Sequence, residues 1–312
     1  MKVKPELLVQ PSGEMWKKIR VELNEDVSTN DRDLEAIKDW MKKQPHLPDE
    51  WEDQPLMTFL RGCSFSLEKT KRKLDMYFTM RAACPEFFTN RDATLPDLFE
   101  ILTNKIQGPA LPGITPNGRR VTVCRGIHPD LNSQQITDTL KLALMIGDVR
   151  LTEEKEGVAG DIYVLDAAIL GPSLLARLSP STVKKFMICV QEAYPIKLKE
   201  VHIVNTSPIV ERFINFVKPF LKEKIRKRIF IHKEIKDLYK YVPQEMLPLE
   251  YGGPVSNMAA LQERWTNTLI EYRDWFSSQD EVKANEALRP GKPTNYDELF
   301  GIDGSFRQLT ID

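Results

Sequence analysis

Apolar positions recur with a period near 3.6 early in this chain and with a period of two in its middle, and the change divides it. From Asp33 to Met41, the residues Leu34, Ile37, Trp40 and Met41 share one helical face before Pro45 and Pro48 interrupt it. A short segment, Pro55 to Arg61, carries Leu56, Phe59 and Leu60. Ser66 then suits an N-cap, and Glu68 the first turn, of a helix whose inner side reads Leu67, Thr70, Leu74, Tyr77 and Phe78 and which stops at Pro85. Residues 1–90 are therefore predicted to form a small helical lobe.

The middle changes character. Pro116-Asn117-Gly118 is a turn signal ahead of the β-rich run Arg120 to Cys124. A long helix over about Ser133 to Leu151 follows, then a buried-strand pattern from Asp161 to Asp166. Ser179-Pro180 opens a helix with proline in its first turn, closed by Tyr194-Pro195. Val201 to Asn205 reads as a strand, Ser207-Pro208 opens another helix, and Arg228 to His232 reads as a last short strand. Strands alternating with helices predict an α/β lobe with a mostly parallel sheet over residues 91–255. Residues 256–312 form the remainder. Ser256 is placed to cap a helix whose apolar face (Met258, Leu261, Trp265, Leu269, Tyr272, Phe276) must pack back on the body. From residue 278 the chain is polar and broken by Pro290, Gly291 and Pro293, which predicts an irregular end.

Composition narrows the function. The 312 residues are 41% hydrophobic and 29% charged, and a net charge of −1 supplies no global attraction to nucleic acid or to an anionic surface. Met1 to Gln10 lacks the apolar core of a secretory signal. The longest purely apolar run, Leu142 to Ile146, falls far short of the ~18 residues that span a bilayer. A cytoplasmic protein with at most peripheral membrane contact is expected. Cys63, Cys84, Cys124 and Cys189, like His46, His128, His202 and His232, are scattered without metal or redox spacing, so no metal and no cofactor is expected. Gly108 to Gly113 has phosphate-loop spacing, but Ile114 stands where lysine is required, and the segment reads as a Pro/Gly loop. Gly171-Pro172-Ser173 lacks the second glycine of a nucleophile elbow. Asp161 and Asp166, five apart on one strand, point to opposite faces and form no acid/base pair. The chain reads as a non-enzyme.

Two features carry a positive signal. Ile209, Phe213, Phe216, Val217 and Phe220 make an apolar stripe that runs into Lys218, Lys222, Lys224, Arg226, Lys227 and Arg228, with Glu223 the one acid among them. A greasy inner face with a basic margin suits a lid over an apolar cavity at an anionic membrane. Lys224 and Arg228 are spaced to share a helical face, and Lys197 and Lys199 point one way if extended. Stacking aromatics are not interleaved with these charges, which argues against nucleic acid as a partner.

Phe59-Leu60-Arg61-Gly62, Tyr194-Pro195-Ile196-Lys197-Leu198-Lys199, Val201 to Asn205, Lys218 to Leu221, Lys224 to Phe230 and Leu247 to Gly253, in this order, resemble the CRAL-TRIO family over about residues 30–255. The resemblance implies a helical N-terminal lobe beside an α/β lipid-binding lobe with a hydrophobic pocket and a mobile gate helix over about Asn205 to Arg228. In the branch that binds tocopherol and retinaldehyde, it also implies a basic cleft for phosphoinositide headgroups, matched here by Lys197, Lys199, Lys224 and Arg228. In the phosphatidylinositol-exchanging branch an acidic residue follows the Tyr-Pro pair. Ile196 stands there in this chain and implies a more apolar cargo.

Pocket walls are expected from Tyr163, Leu165, Phe186, Cys189, Val190, Ile196, Leu198, Val201 and Ile203, with Phe213, Phe216, Val217 and Phe220 from the gate. The expected function is binding and transfer of a small hydrophobic lipid (retinoid, tocopherol, carotenoid or similar) by a monomer that docks on phosphoinositide-containing membranes. Phospholipid or phosphoinositide transfer or trafficking is the alternative, and a partner-recruiting module with a vestigial pocket is a third.

Overall fold

The computed structural model describes residues 6–301. A six-stranded sheet organises it, in the order β1-β3-β4-β5-β6 with β2 also on β3. The strands are β1 (Ile106–Gln107), β2 (Ala110–Ile114), β3 (Arg119–Gly126), β4 (Gly160–Asp166), β5 (Leu198–Val204) and β6 (Ile229–Ile231). β3 to β6 are mutually parallel, while β1 and β2 run antiparallel to β3. The Pro116-Asn117-Gly118 turn joins β2 to β3, as its residues predict. The Gly108–Gly113 segment corrects the loop reading, since most of it is strand β2. Alternation does the sorting. Val121, Val123, Ile162, Val164 and Val204 face one side, in a core with Leu111, Leu238, Val242, Leu247, Tyr251, Met258 and Leu261.

The helices of the first part are α1 (Gly13–Leu23), α2 (Asn30–Lys42), α3 (Asp53–Gly62), α4 (Leu67–Ala83) and α5 (Pro85–Phe88). Leu34, Ile37 and Met41 of α2 meet Leu56, Phe59 and Leu60 of α3 and Leu74, Tyr77 and Phe78 of α4, so the predicted stripes form one core. α1 stands apart, burying Ile19 and Leu23 against Ala159. Gly62 explains how α3 touches the Tyr-Pro turn. A Cβ there would sit 2.1 Å from the Pro195 carbonyl oxygen, so only glycine permits the contact.

Next come α6 (Pro96–Glu100), α7 (Ser133–Glu153), α8 (Pro172–Ala176), α9 (Pro180–Ile188), α10 (Ile209–Val217) and α11 (Glu223–Arg226). Asn132 and Gln135 form a capping box at the start of α7, and the Ser179 hydroxyl caps α9. After these lie α12 (Met258–Glu271), α13 (Arg273–Ser278) and α14 (Tyr296–Phe300). Asn257 rather than Ser256 caps α12, its Oδ1 accepting the Ala260 amide at 2.7 Å. Trp265, Leu269 and Phe276 are buried against Leu142, Met145 and Val149 of α7, as their periodicity demands.

From residue 279 the tail is irregular for most of its described length, with one short turn at Glu286–Leu288 and α14, and it is held against the body. Ala284 and Phe300 insert into the core of α2–α4. Arg289 ties the segment down through Glu286 at 2.7 Å and Asp75 at 2.9 Å. Ion pairs with a distant helix leave no apolar period to read. The remainder of that tail, 302–312, lies outside the described residues.

Candidate functional site

The sheet face opposite the Val/Ile core is the floor of the candidate pocket. Parallel register aligns Thr122, Tyr163, Val201 and Ile229 in one cross-strand row and Cys124, Leu165, Ile203 and Ile231 in the next. Leu198 pairs with Asp161 just before the register slips at the start of β5. Tyr163, Leu165, Leu198 and Val201 are half-buried although they lie on interior strands. Burial pushes the half-buried Cys124 thiol up to about 12, and it drives the Tyr163 phenol up as well.

Helix α10 covers the outer end of this floor. Val210 is buried against Ile203 and Ala167, with Leu165, Ile214 and Ile229 packed around them. Glu211, Arg212, Asn215 and Lys218 face outward. The inner side is therefore centred on Val210 and Ile214, one residue round from the predicted stripe. Phe213, Phe216, Val217 and Phe220 are half-buried along its margin, where Phe216 and Phe220 meet edge-on at 6.1 Å. Both ends of the helix are held. Asn205, in the left-handed region at φ 52°, donates from Nδ2 to Asp166 at 2.9 Å, and the Tyr251 hydroxyl donates to the same carboxylate oxygen at 2.8 Å. At the far end, Gln191 donates to the Phe220 carbonyl and accepts from the Lys222 amide, both at 2.8 Å.

The α9 candidates divide. Cys189 is fully buried in the core shared with α2–α4, its thiol beside that of Cys84. The half-buried Phe186, Val190 and Ile196 also pack against that core, and Phe186 meets Phe87 edge-on at 6.3 Å. A cleft of about 100 Å³ lined by Arg81, Pro85, Phe88 and Lys283 touches none of these residues and is too small for a lipid. Alternation within β3 and β6, and the i, i+4 pair in α10, were the signals for further residues beside this face that sequence reasoning missed: Cys124, Ile229, Val210 and Ile214, while Ile231 at the end of its row is exposed.

The basic candidates gather at the junction with the N-terminal helices. Lys197 Nζ donates to Ser64 Oγ at 2.6 Å, and Lys199 Nζ meets a Glu22 carboxylate oxygen at 2.5 Å. Gly160, at φ 152°, makes room, since a Cβ there would lie 2.6 Å from both the Lys197 carbonyl and the Lys199 side chain. Lys197 titrates below the usual lysine range. Burial is the main cause, and repulsion from Lys199 and Lys224 adds to it. Lys224 is exposed. Helix α11 ends at Arg226, so Lys224 and Arg228 do not share a helical face as expected. The Arg228 guanidinium instead donates to the Leu198 carbonyl beside Lys197 and Lys199.

Two family models match the chain: a Pinta-like UBA domain at residues 26–98 and a CRAL/TRIO domain at residues 109–253. The chain is similar to the alpha-tocopherol transfer protein-like protein of Homo sapiens, with 30% identity over 267 residues, 83% of this chain and 75% of that one. It is 27% identical to Homo sapiens clavesin-2 over 265 residues, 84% of this chain and 80% of the relative. The crystal structure of Sfh5 aligns with a TM-score of 0.45 at 13% identity, covering 86% of this chain and 99% of that one.

Proposed function

This chain belongs to the CRAL/TRIO family of lipid-binding and lipid-transfer proteins, and on that ground we propose that it carries one small, largely apolar lipid beneath α10 and releases it at phosphoinositide-bearing membranes. The observation that carries the reading is the half-buried, largely apolar face of β4 and β5 beneath α10, whose Val210 and Ile214 rest on it. Apolar surface left unfilled there costs about 0.8 kcal/mol per CH₂ that a ligand would cover, against which the cost of association is set. Ile196, in place of an acid after Tyr194-Pro195, favours a cargo without an inositol headgroup.

Docking falls to the basic junction. Lys197, Lys199, Lys224 and Arg228 lie beside the segment that leads out of α10, and each lysine or arginine near an anionic leaflet contributes about 1 kcal/mol. An anionic headgroup would compete with Glu22 of α1 for Lys199. Lys199→Gln combined with Lys224→Glu should weaken binding to phosphoinositide vesicles by about tenfold or more and leave lipid loading unchanged. Vesicle co-sedimentation and ligand titration of the same preparation measure both. Equal loss of loading would mean that cargo and membrane sites are not separable.

A further inference from the structure

We propose that Glu22 of α1 is a built-in counter-ion of the basic junction, and that it restricts docking to headgroups carrying more than one negative charge. The inference rests on the docking reading above and names what that site selects.

Four cations are assigned to the junction, and one acid meets them. Lys199 Nζ lies 2.5 Å from a Glu22 carboxylate oxygen, and among the described residues Glu22 is the one carboxylate paired with any of the four. Lys197 donates to the neutral Ser64 hydroxyl at 2.6 Å, and Arg228 donates to the carbonyl of Leu198, between the two lysines. Lys224 is exposed. The Lys199 stem lies across Gly160, where a Cβ would be 2.6 Å from its Cγ and 2.7 Å from its Cε.

The carboxylate is carried on an anchored helix. α1 buries Ile19 and Leu23 against Ala159, and its Arg20 pairs with Glu25 at 3.0 Å and Glu156 at 2.5 Å. Trp16 Nε1 donates to Glu156 at 2.7 Å. Trp16, Ile19, Arg20 and Leu23 fall at i, i+3, i+4 and i+7, so they share one side of the helix. Glu22 stands off that side, and its side chain is 35% exposed. Displacing it from Lys199 therefore takes a change of rotamer and no movement of α1.

A carboxylate held beside the amine by the fold acts as a ligand of high local concentration. A headgroup with a single negative charge only exchanges one anion for another at Lys199. Each phosphomonoester carries about −1.5 to −2, so a bisphosphorylated inositol headgroup displaces Glu22 with charge to spare for the other cations. Partial solvation keeps the internal pair weak enough to be displaced.

The test uses the full chain and phosphatidylcholine vesicles carrying either phosphatidylserine or a phosphatidylinositol bisphosphate, at equal total charge. The unaltered chain should co-sediment preferentially with the bisphosphate, a readout that needs no variant. Glu22→Gln, which keeps the shape of a half-exposed side chain, should tighten binding to phosphatidylserine by about fivefold and to the bisphosphate by less. On a Lys199→Gln background the same change should gain less, because the amine it frees is gone. No preference in the unaltered chain, or equal gains or no gain on the two lipids in Glu22→Gln, would overturn the filter. The docking reading would still stand if Lys199→Gln weakened binding. An unaltered chain that binds neither vesicle would overturn both.

Discussion

Asp148 on α7 is a fully buried carboxylate that joins the N-terminal helices to the lipid-binding lobe. It accepts from the Tyr77 hydroxyl at 2.9 Å, the Tyr194 hydroxyl at 2.6 Å and Arg91 at 2.6 Å, with Arg81 at 3.5 Å. Burial and the Asp148 charge push both phenols far above their ordinary range, so they stay donors. Asp148→Asn would leave buried guanidiniums without their anion, and its expected cost is about 3–5 kcal/mol in urea unfolding. A loss below about 1 kcal/mol would show that the arginines find other partners. At this scale the sequence was readable only where a residue acts through its place in a period. The Leu74, Tyr77 and Phe78 stripe is local, whereas Tyr77 and Arg91 lie 71 and 57 residues from Asp148 and no spacing reveals them. Cys189 shares a helical segment with pocket candidates, yet it is buried beside Cys84 in the core of α2–α4, a neighbour no spacing reveals.

The parallel strands β3 to β6 were legible because alternation encodes both a strand and the face each residue takes, whereas the short β1 and the Pro/Gly-containing β2 were not. β4 and β5 therefore delivered Tyr163, Leu165, Val201 and Ile203 to one side. α10 was legible as amphipathic but not in its rotation, since Val210 and Phe213 are equally apolar and only the sheet beneath selects Val210. β5 and the residues after β6 also carry a histidine pair. His202 Nδ1 lies 2.9 Å from His232 Nε2, and His202 Nε2 lies 3.1 Å from Glu200. His202 also stacks against Phe230 and meets Tyr241 at a tilt. Burial lowers both histidines. Glu200 pulls His202 back up and His232 pushes it further down, while Asp237 raises His232 and Lys240 lowers it. A base depressed in the folded state stabilises the fold above its unfolded value of about 6.5, and that contribution is lost as pH falls below it. Melting temperature should therefore drop from about pH 7 to about pH 5, and His232→Asn should reduce the drop. An unchanged pH dependence in the variant would assign the acid sensitivity elsewhere.

At the scale of the molecule, the architecture follows from two apolar patterns meeting at one seam. The helical stripes of α2–α4 close on Tyr194, Ala193 and Cys189, and the sheet closes on α10 and α12. This was visible in the order of elements, because helices followed by alternating strands and helices allow few arrangements. How the tail attaches was not, because residues 278–301 are fixed by the ion pairs of Arg289 with Asp75 and Glu286 and by isolated apolar residues such as Ala284 and Phe300 rather than by a periodic face. The proposed function places one apolar molecule in one pocket. Native mass spectrometry of the chain purified without detergent, with the released molecule identified, tests this most directly. The account predicts a single neutral lipid per chain, and an empty chain or a bound phospholipid would contradict it.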